Sequence, residues 1–446
     1  MSSDLQERLA ELADEAPRSL AVAGDGLWRA GVRRRRQRRT RAVVATTVAT
    51  AALAGGLSLL GPHEPRTPVP AEVPVSELHI PRTLHAPDPW AEGTDEAGPP
   101  GPLAAISLAW RDTPEGLTGT TRTMDPFGVS AVDGSTVFLD LSSARDDDGT
   151  TLLGPGAITL SPDGRKVAYV RHQANADRTS ARVIGWDVYD TETGAVTELR
   201  VPGTEEIRGS ETSEIRFTGD SRYLMTSYSP SGRNGFRQHA LFVWDVESGT
   251  SLMAEEPGYY WLPNPGSAAT GVVWSRGQRI YRLDPSSNQT EVLRLPHDVV
   301  EASFGADDAL AYIGHRPTRP NEFARWWLYA GDGPDGSRRI PLDIDPGLIL
   351  GWKNTHEVVV SDHRQTVRLV DVRTGEYDAM MLRWRSAGRL MTPRYAADLW
   401  RNPLVDGVAP ADLPDPRWWR RPTTWAVAAV GTLAGLVWWR RRRGRA

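Results

Sequence analysis

The side chains best suited to chemistry are dispersed along this chain of 446 residues. Its nine histidines form no cluster, and His356 and His363 are separated by a predicted strand and turn, which favours surface positions over a metal pair. The acidic run Arg145-Asp146-Asp147-Asp148-Gly149 lacks the alternating ligand positions of a calcium loop, so we interpret it as a solvated loop. Because the chain has no cysteine, disulfides, zinc–thiolate sites and thiol catalysis are excluded.

Sequence patterns typical of catalytic sites are absent. The chain has no Gly-x-Ser-x-Gly nucleophile turn, no Walker phosphate loop and no Gly-x-Gly-x-x-Gly pattern after a strand. Trp326 and Trp327 could line a sugar or peptide site, although packing between sheets is the favoured interpretation. We therefore predict a protein that is not an enzyme, with no catalytic, metal-binding or cofactor-binding residues and no cofactor.

Short β-rich runs separated by turn residues dominate residues 102–386. The clearest unit, residues 157–199, contains four predicted strands with tight turns at Gly164 and Gly194. Glycine suits these turns because hairpin turns and bulges need positive φ. The unit recurs in less regular form at spacings typical of propeller blades, with later turns at Gly249, Asn288, Gly336 and Gly375. We predict an all-β propeller of six four-stranded blades, with seven blades as the alternative.

Two features of this region resemble known propellers. The sequence LSPDGRKVAYV, residues 160–170, is similar to the strand–turn–strand core of TolB-type and WD-repeat propellers. Trp186-Asp187 and Trp244-Asp245, each followed by a glycine turn, resemble the ends of their third strands. The Ser-Pro-Asp-Gly turn also resembles the Asp-box of sialidases but lacks the Thr-Trp that follows there. The resemblance covers residues 103–385 and implies a propeller fold.

Two uncharged apolar stretches, residues 42–60 and 422–439, predict transmembrane helices on either side of the propeller. Arginine clusters within residues 33–41 and 440–446 border them, and the positive-inside rule places both clusters in the cytoplasm. The propeller is then extracytoplasmic, at the plasma membrane. A cleaved signal peptide is disfavoured for the first stretch because no small-x-small cleavage site follows it. The alternative for the second stretch is an interfacial amphiphile.

The N-terminal residues predict a short amphipathic helix on the cytoplasmic side. Ser3 and Gln6 form a capping box, and three leucines share one face, namely Leu5, Leu9 and Leu12. This face is a candidate contact for a cytoplasmic protein, and a frayed, solvated terminus is the alternative.

Charge and proline content indicate the remaining segment boundaries and the partners that the chain excludes. The net charge is −4, but the arginine-rich ends leave the middle acidic, which argues against a nucleic-acid partner and favours ends that lie near an anionic membrane surface. The Pro-rich residues 61–101 predict a semi-rigid linker. The predicted segments are the cytoplasmic segment 1–41, span 42–60, linker 61–101, propeller 102–386, connector 387–421, span 422–439 and basic tail 440–446.

The cytoplasmic head suggests a functional class. The pattern Leu-x-x-Leu-Ala-x-x-Ala-Pro at residues 9–17, followed by the Trp- and Arg-rich residues 28–41, resembles actinobacterial membrane proteins found beside extracytoplasmic-function sigma factors. The resemblance implies a sensor or regulator whose propeller binds an unknown extracytoplasmic protein or glycan. The alternatives are a cell-envelope scaffold or carbohydrate-binding module, and a propeller hydrolase.

Overall fold

The structure is a computed structural model. It describes residues 74–115, 119–144, 156–174, 181–200, 215–228, 240–253, 271–285, 287–305, 309–315, 326–362, 365–385, 393–410 and 413. Both predicted spans, the N-terminal helix with its leucines, and the acidic run at 145–149 lie outside these residues. Within them, no helix has the length and apolar character needed to cross a bilayer.

Six sheets with meander connectivity form the body of the fold, and they confirm the predicted six-blade propeller. Strand β1 (Thr83–His85) precedes them. Blade 1 contains β2 (Leu103–Glu115), β3 (Gly119–Ser130) and β4 (Thr136–Phe138). Blade 2 contains β5 (Ile158–Leu160), β6 (Lys166–Ala174), β7 (Ala181–Asp190) and β8 (Val196–Leu199). Blade 3 contains β9 (Ile215–Phe217), β10 (Tyr223–Tyr228), β11 (Ala240–Asp245) and β12 (Ser251–Met253).

The second half of the ring repeats this organisation. Blade 4 contains β13 (Val272–Arg276), β14 (Arg279–Asp284) and β15 (Gln289–Arg294) among the described residues. Blade 5 contains β16 (Asp298–Phe304), β17 (Leu310–His315), β18 (Trp326–Gly331) and β19 (Arg338–Ile340). Blade 6 contains β20 (Pro346–Trp352), β21 (Glu357–Asp362), β22 (Val367–Asp371) and β23 (Tyr377–Met380). Strands β24 (Arg383–Arg385) and β25 (Arg394–Tyr395) follow.

A recurring turn joins the third and fourth strands of several blades. In blade 2, the Asp190 carboxylate accepts hydrogen bonds from the backbone N–H groups of Glu192 and Thr193, and Gly194 takes a φ of 74°. The turns after Asp245 and Asp371 repeat this geometry. The predicted turn positions therefore have a physical basis in Asx-type bonding and positive φ. In blade 5 the positive φ lies at Gly333 rather than at the predicted Gly336.

The turn at Gly164 also sets the contact between blades 1 and 2. Gly164 has a φ of 76°, and its carbonyl accepts the N–H of Leu103 at 2.8 Å. A Cβ at this position would lie 2.2 Å from the Leu103 carbonyl oxygen, so only glycine permits this approach. Blade 3 uses a related turn in which Ser221 takes the positive φ and Thr218 hydrogen-bonds Asp220 at 2.5 Å.

Strand β25 closes the ring. Its two residues pair antiparallel with β2, Arg394 opposite Ile106 and Tyr395 opposite Ala105, so the C-terminal strand becomes the innermost strand of blade 1. A 3₁₀ turn at Ala397–Arg401 follows, and it buries Trp400 at 1% exposure. The Trp400 indole N–H donates to the Leu350 carbonyl of blade 6 at 3.1 Å, which fastens the closing segment to the last blade.

The residues before blade 1 form a second closure. The predicted linker begins outside the described residues, but Leu78, Ile80 and Leu84 within it are fully buried in the propeller core. Strand β1 pairs parallel with β24, which follows the last blade. The described part of the Pro-rich segment, including the 3₁₀ turn Val75–Glu77 and helix α1 (Thr94–Ala97), therefore packs onto the propeller and does not act as a free spacer.

Buried tryptophans support the sheets from within. Trp186, Trp244 and Trp352 lie on different blades and are almost completely buried. The indole N–H of Trp244 donates to the Thr226 hydroxyl at 3.1 Å, and that of Trp352 donates to the Ser303 hydroxyl at 3.0 Å. Pairing the indole N–H groups of Trp244 and Trp352 with hydroxyls avoids the free-energy penalty of a buried, unsatisfied donor.

Replacing Trp400 tests the closure. Because Trp400 is buried and hydrogen-bonds blade 6, Trp400→Ala should lower the free energy of unfolding by about 3–5 kcal/mol. Trp110 on β2 is 43% exposed, so Trp110→Ala should change it by less than about 0.5 kcal/mol. Urea unfolding of the full chain, followed by circular dichroism, measures both. Equal effects of the two substitutions would contradict the closing role of Trp400.

Candidate functional site

The central channel of the propeller is lined by the innermost strands. Side chains from β5, β9, β16, β20 and β25 surround a cavity of about 50 Å³. Among the described residues, its charged lining residues are Arg216, Glu301 and Arg394. The wall between them is mainly apolar, formed by residues that include Phe217, Leu348, Ile349 and Leu350. The described lining of the channel therefore combines charged and apolar side chains.

Strand alternation explains how charged side chains reach the channel. In β9, Arg216 lies between Ile215 and Phe217, and it pairs with Met225 of the next strand. Successive side chains of a strand point to opposite faces, but both neighbours are buried here because inner strands are covered on all sides. Arg216 is only 8% exposed and Glu301 only 5%. These are unusual values for ionised side chains.

Bulges shape the channel wall in blades 5 and 6, including a second one in β20 between Ile349 and Gly351. The pairing of β16 with β17 shifts register between Val299 and Glu301, and β20 shifts register between Pro346 and Leu348. A bulge re-aims the side chains that follow it, and bulges are common beside functional sites. The shift before Glu301 therefore contributes to placing its carboxylate at the cavity.

Arg216 and Tyr395 each make a hydrogen bond at the channel. Arg216 Nη1 donates to the Ile215 carbonyl at 3.4 Å, which is long for an N–H···O bond. Tyr395 accepts a hydrogen bond from the Trp384 indole at 2.8 Å. Burial raises the pKa of the Tyr395 phenol, against the opposing effect of that hydrogen bond, so the phenol is neutral at physiological pH.

The chemistry of this site follows from its charged groups. Guanidinium groups stay protonated in proteins, so Arg216 and Arg394 are fixed positive charges that cannot transfer protons. Glu301 supplies a carboxylate beside them. Two permanent cations and one carboxyl group suit the recognition of charge more than acid–base catalysis.

A second buried polar cluster lies in blade 2. Asp187 is almost completely buried, receives a hydrogen bond from the Ser143 hydroxyl, and lies 3.1 Å from Arg171 Nη1. Arg171 also pairs with Glu198 at 2.6 Å. Burial raises the pKa of the nearby Tyr169 phenol, so it stays protonated. Because these groups satisfy one another, the cluster is best explained as structural support.

The two tryptophans considered as a possible sugar or peptide site lie on β18, towards the outer side of blade 5. Trp326 and Trp327 are half-buried and line a cleft of about 320 Å³. The Arg339 guanidinium lies 4.4 Å from the Trp327 ring centroid, a cation–π distance. Beside this cleft is an acidic cleft of about 770 Å³, whose carboxylates are Asp343, Glu357, Asp371, Glu376 and Asp378. The tryptophans therefore face solvent in part, as a binding surface requires.

The other residues considered from the sequence fall at separate places. His356 lies 3.8 Å from the Asp371 carboxylate, whereas His363 is outside the described residues. In the described part of the chain, no group of three histidines or acidic residues is arranged to hold a metal. Asp163 accepts the Ser161 hydroxyl at 2.6 Å and the Arg165 N–H at 3.1 Å, so it stabilises its own turn.

Sequence reasoning missed Arg216, Glu301 and Arg394. A signal existed, because Arg216 and Glu301 each interrupt a short apolar run within a predicted strand. Arg394 carried no comparable signal, since strand β25 has only two residues and lies in the predicted connector. The three residues are distant in sequence and come together only in the closed ring, so the sequence could not show that they form one site.

Comparisons with known proteins give structural likeness only. No family model and no curated protein sequence matches the chain. The beta-propeller domain of the Trilobed protease from Pyrococcus furiosus is 16% identical, with a TM-score of 0.39 over 62% of this chain and 83% of that one. An oligogalacturonate lyase in complex with manganese is 12% identical, with a TM-score of 0.38 over 64% and 86% of the two chains. Dipeptidyl peptidase 4 from Porphyromonas gingivalis is 14% identical, with a TM-score of 0.35 over 61% and 44%. Such low values carry no inference about activity.

Blade 2 also provides a pH-dependent contribution to stability. Burial lowers the pKa of the His172 imidazole, and both ring nitrogens are shielded from solvent without a hydrogen-bond partner among the described atoms. In the unfolded chain the imidazole regains a pKa of about 6.5 and binds a proton more readily than in the folded state. The stabilisation is therefore present above about pH 6.5 and is lost as the pH falls.

We predict that the free energy of unfolding decreases from about pH 7 to about pH 5, and that His172→Phe reduces this slope. Part of the slope should remain, because burial and Arg385 also lower the pKa of His85. Urea titrations at several pH values measure the slope. A wild-type slope in the His172→Phe variant would contradict this explanation.

Proposed function

We propose that this chain is a non-catalytic, membrane-anchored propeller that binds an extracytoplasmic ligand or protein at its central channel. The observation that carries the proposal is the enclosure of Arg216, Glu301 and Arg394 at the axis of the ring. A few charged side chains that converge on a cavity otherwise lined mainly by apolar residues are typical of binding sites.

The anchoring part of the proposal is supported by the sequence. Residues 42–60 and 422–439 have the length and apolar character of membrane spans, and the flanking arginines favour a cytoplasmic position for both termini. A ligand at the channel would then be detected outside the cell. The leucine face at Leu5, Leu9 and Leu12 would contact a cytoplasmic partner, such as a sigma factor.

The second candidate is a cell-envelope scaffold or carbohydrate-binding module. The observation that favours it is the cleft with the half-buried Trp326 and Trp327, because aromatic rings beside carboxylates suit the faces and hydroxyls of sugars. A hydrolase would further require two carboxylates converging on a scissile bond. At the channel, Glu301 is the one carboxylate among the described lining residues.

The absence of cysteine from the chain makes the topology directly testable. Ser287 lies in the exposed turn between β14 and β15, whereas Ser19 lies in the predicted cytoplasmic segment. We expect a membrane-impermeant maleimide to label Ser287→Cys in intact cells and Ser19→Cys only after lysis. The cysteine-free wild type is the control for background labelling.

Labelling of Ser19→Cys in intact cells, or protection of Ser287→Cys until lysis, would contradict the proposed orientation. Labelling of both variants only after lysis would place the propeller on the cytoplasmic side and overturn the extracytoplasmic role.

Deletion of residues 2–28 distinguishes a sensor from a scaffold. A sensor that signals through its leucine face should lose its output, so the transcript profile of the deletion strain should match that of a strain lacking the whole protein. A scaffold should give the wild-type profile, provided that the truncated protein reaches the wild-type level in membranes. RNA sequencing of the three strains measures the difference.

A further inference from the structure

The sheet of blade 4 has no outer fourth strand in the described part of the chain. It consists there of β13, β14 and β15, whereas the sheets of the other five blades have four strands each. Three residues, 295–297, separate β15 from the first strand of blade 5. Because so few residues cannot both reverse the chain and form a strand, the sequence after β15 does not supply the missing one. Strand β15 is therefore the edge of its sheet.

This edge is long and open to solvent. Strand β15 (Gln289–Arg294) pairs with β14 over all six of its residues, and five of the six are exposed. The outermost strands of the other blades have only three or four residues. Short edge strands limit pairing with other chains, whereas a longer edge presents backbone N–H and C=O groups that an added strand can bind.

An apolar row of side chains crosses blade 4 and ends at this edge. Trp274 on β13 lies opposite Tyr281 on β14, and their rings stack with centroids 5.3 Å apart. Tyr281 in turn lies opposite Val292 on β15. Trp274 is 5% exposed, but Val292 is 46% exposed. An apolar side chain placed beyond the edge, opposite Val292, would remove this valine from water.

Symmetry restricts how a second copy of the chain can pair with β15. In an antiparallel strand pair that has a twofold axis, one residue lies opposite its own counterpart. Glu291 and Val292 form the middle of β15, so a centre at either one pairs five residues of each copy, 289–293 or 290–294. A centre at Glu291 places two carboxylates opposite each other, which is destabilising, whereas a centre at Val292 places two valines there.

We propose that β15 is a self-association edge, through which two copies of the chain pair antiparallel with Val292 opposite its counterpart. The apolar rows of the two copies then join at the valines. In this register Thr290 lies opposite Arg294 of the second copy, so no like charges are directly opposed. Five paired residues make a small interface, so the association is weak in dilute solution and increases where copies are concentrated, as anchoring in one membrane would achieve.

Cysteine cross-linking tests this register, because the wild-type chain contains no cysteine. Opposite Cα atoms in an antiparallel pair are about 4.5–5.5 Å apart, within the range that a disulfide bridges. Oxidation of the concentrated, purified full chain with copper–phenanthroline should therefore convert Val292→Cys into a covalent dimer. Glu291→Cys should give severalfold less dimer, because its two sulfurs are two residues out of register. Electrophoresis without reducing agent measures both yields.

Val196→Cys is the matched control for random collision. Val196 is 48% exposed and lies on β8, the outermost strand of blade 2, so its dimer yield should be severalfold below that of Val292→Cys. A second pair of variants avoids cross-linking. Val292→Lys places two ammonium groups opposite each other and should shift sedimentation equilibrium towards the monomer, whereas Val196→Lys should leave the wild-type distribution unchanged.

Three results would overturn the inference. They are a Val292→Cys dimer yield no higher than that of Val196→Cys, a higher yield from Glu291→Cys than from Val292→Cys, and wild-type self-association in Val292→Lys. These measurements involve neither the channel nor the orientation in the membrane. A chain that remains monomeric would therefore lose its self-association edge and keep the proposed binding function.

Discussion

The structure depends on the pairing of a two-residue strand, β25, with the first blade. An open row of sheets exposes an unpaired inner strand at each end, and such edges are prone to association with other chains. Here Arg394 and Tyr395 complete blade 1 from the far end of the sequence, and the buried Trp400 then fastens this segment to blade 6. The parallel pairing of β1 with β24 adds a second connection between the ends.

The same pairing completes the charged site. Arg216 and Glu301 come from blades 3 and 5, but Arg394 belongs to the closing strand itself. The charged side chains of the described lining residues consequently come together only when the ring is closed. A ligand that binds to Arg394 also stabilises the closed ring, because binding to the native state alone shifts the folding equilibrium towards that state.

The sequence allowed the fold to be predicted where local chemistry repeats. Asp190, Asp245 and Asp371 begin turns of the same construction, which is why the blade spacing was visible in the sequence. The Pro-rich residues from 74 onwards were predicted as part of a linker because proline content indicates extended chain. Composition gave no sign that Leu78, Ile80 and Leu84 would find a partner surface in the closed ring. Composition also could not show that Arg394 and Arg216 line the same cavity, because they do so only when β25 pairs with β2.

The segments that precede and follow the blades are hydrogen-bonded to each other, and this bears on how the proposed membrane-anchored propeller would transmit a signal. Asn402 donates to the carbonyls of Val75 and Leu78 at 2.7 Å, and the Arg82 N–H donates to the Val405 carbonyl at 2.7 Å. The chain therefore enters and leaves the propeller side by side. The two membrane spans that we propose would therefore be attached to neighbouring points of the propeller. Strand β25, which carries Arg394, is thus connected through a short segment ending at Val405 to the place where the two ends of the described chain meet.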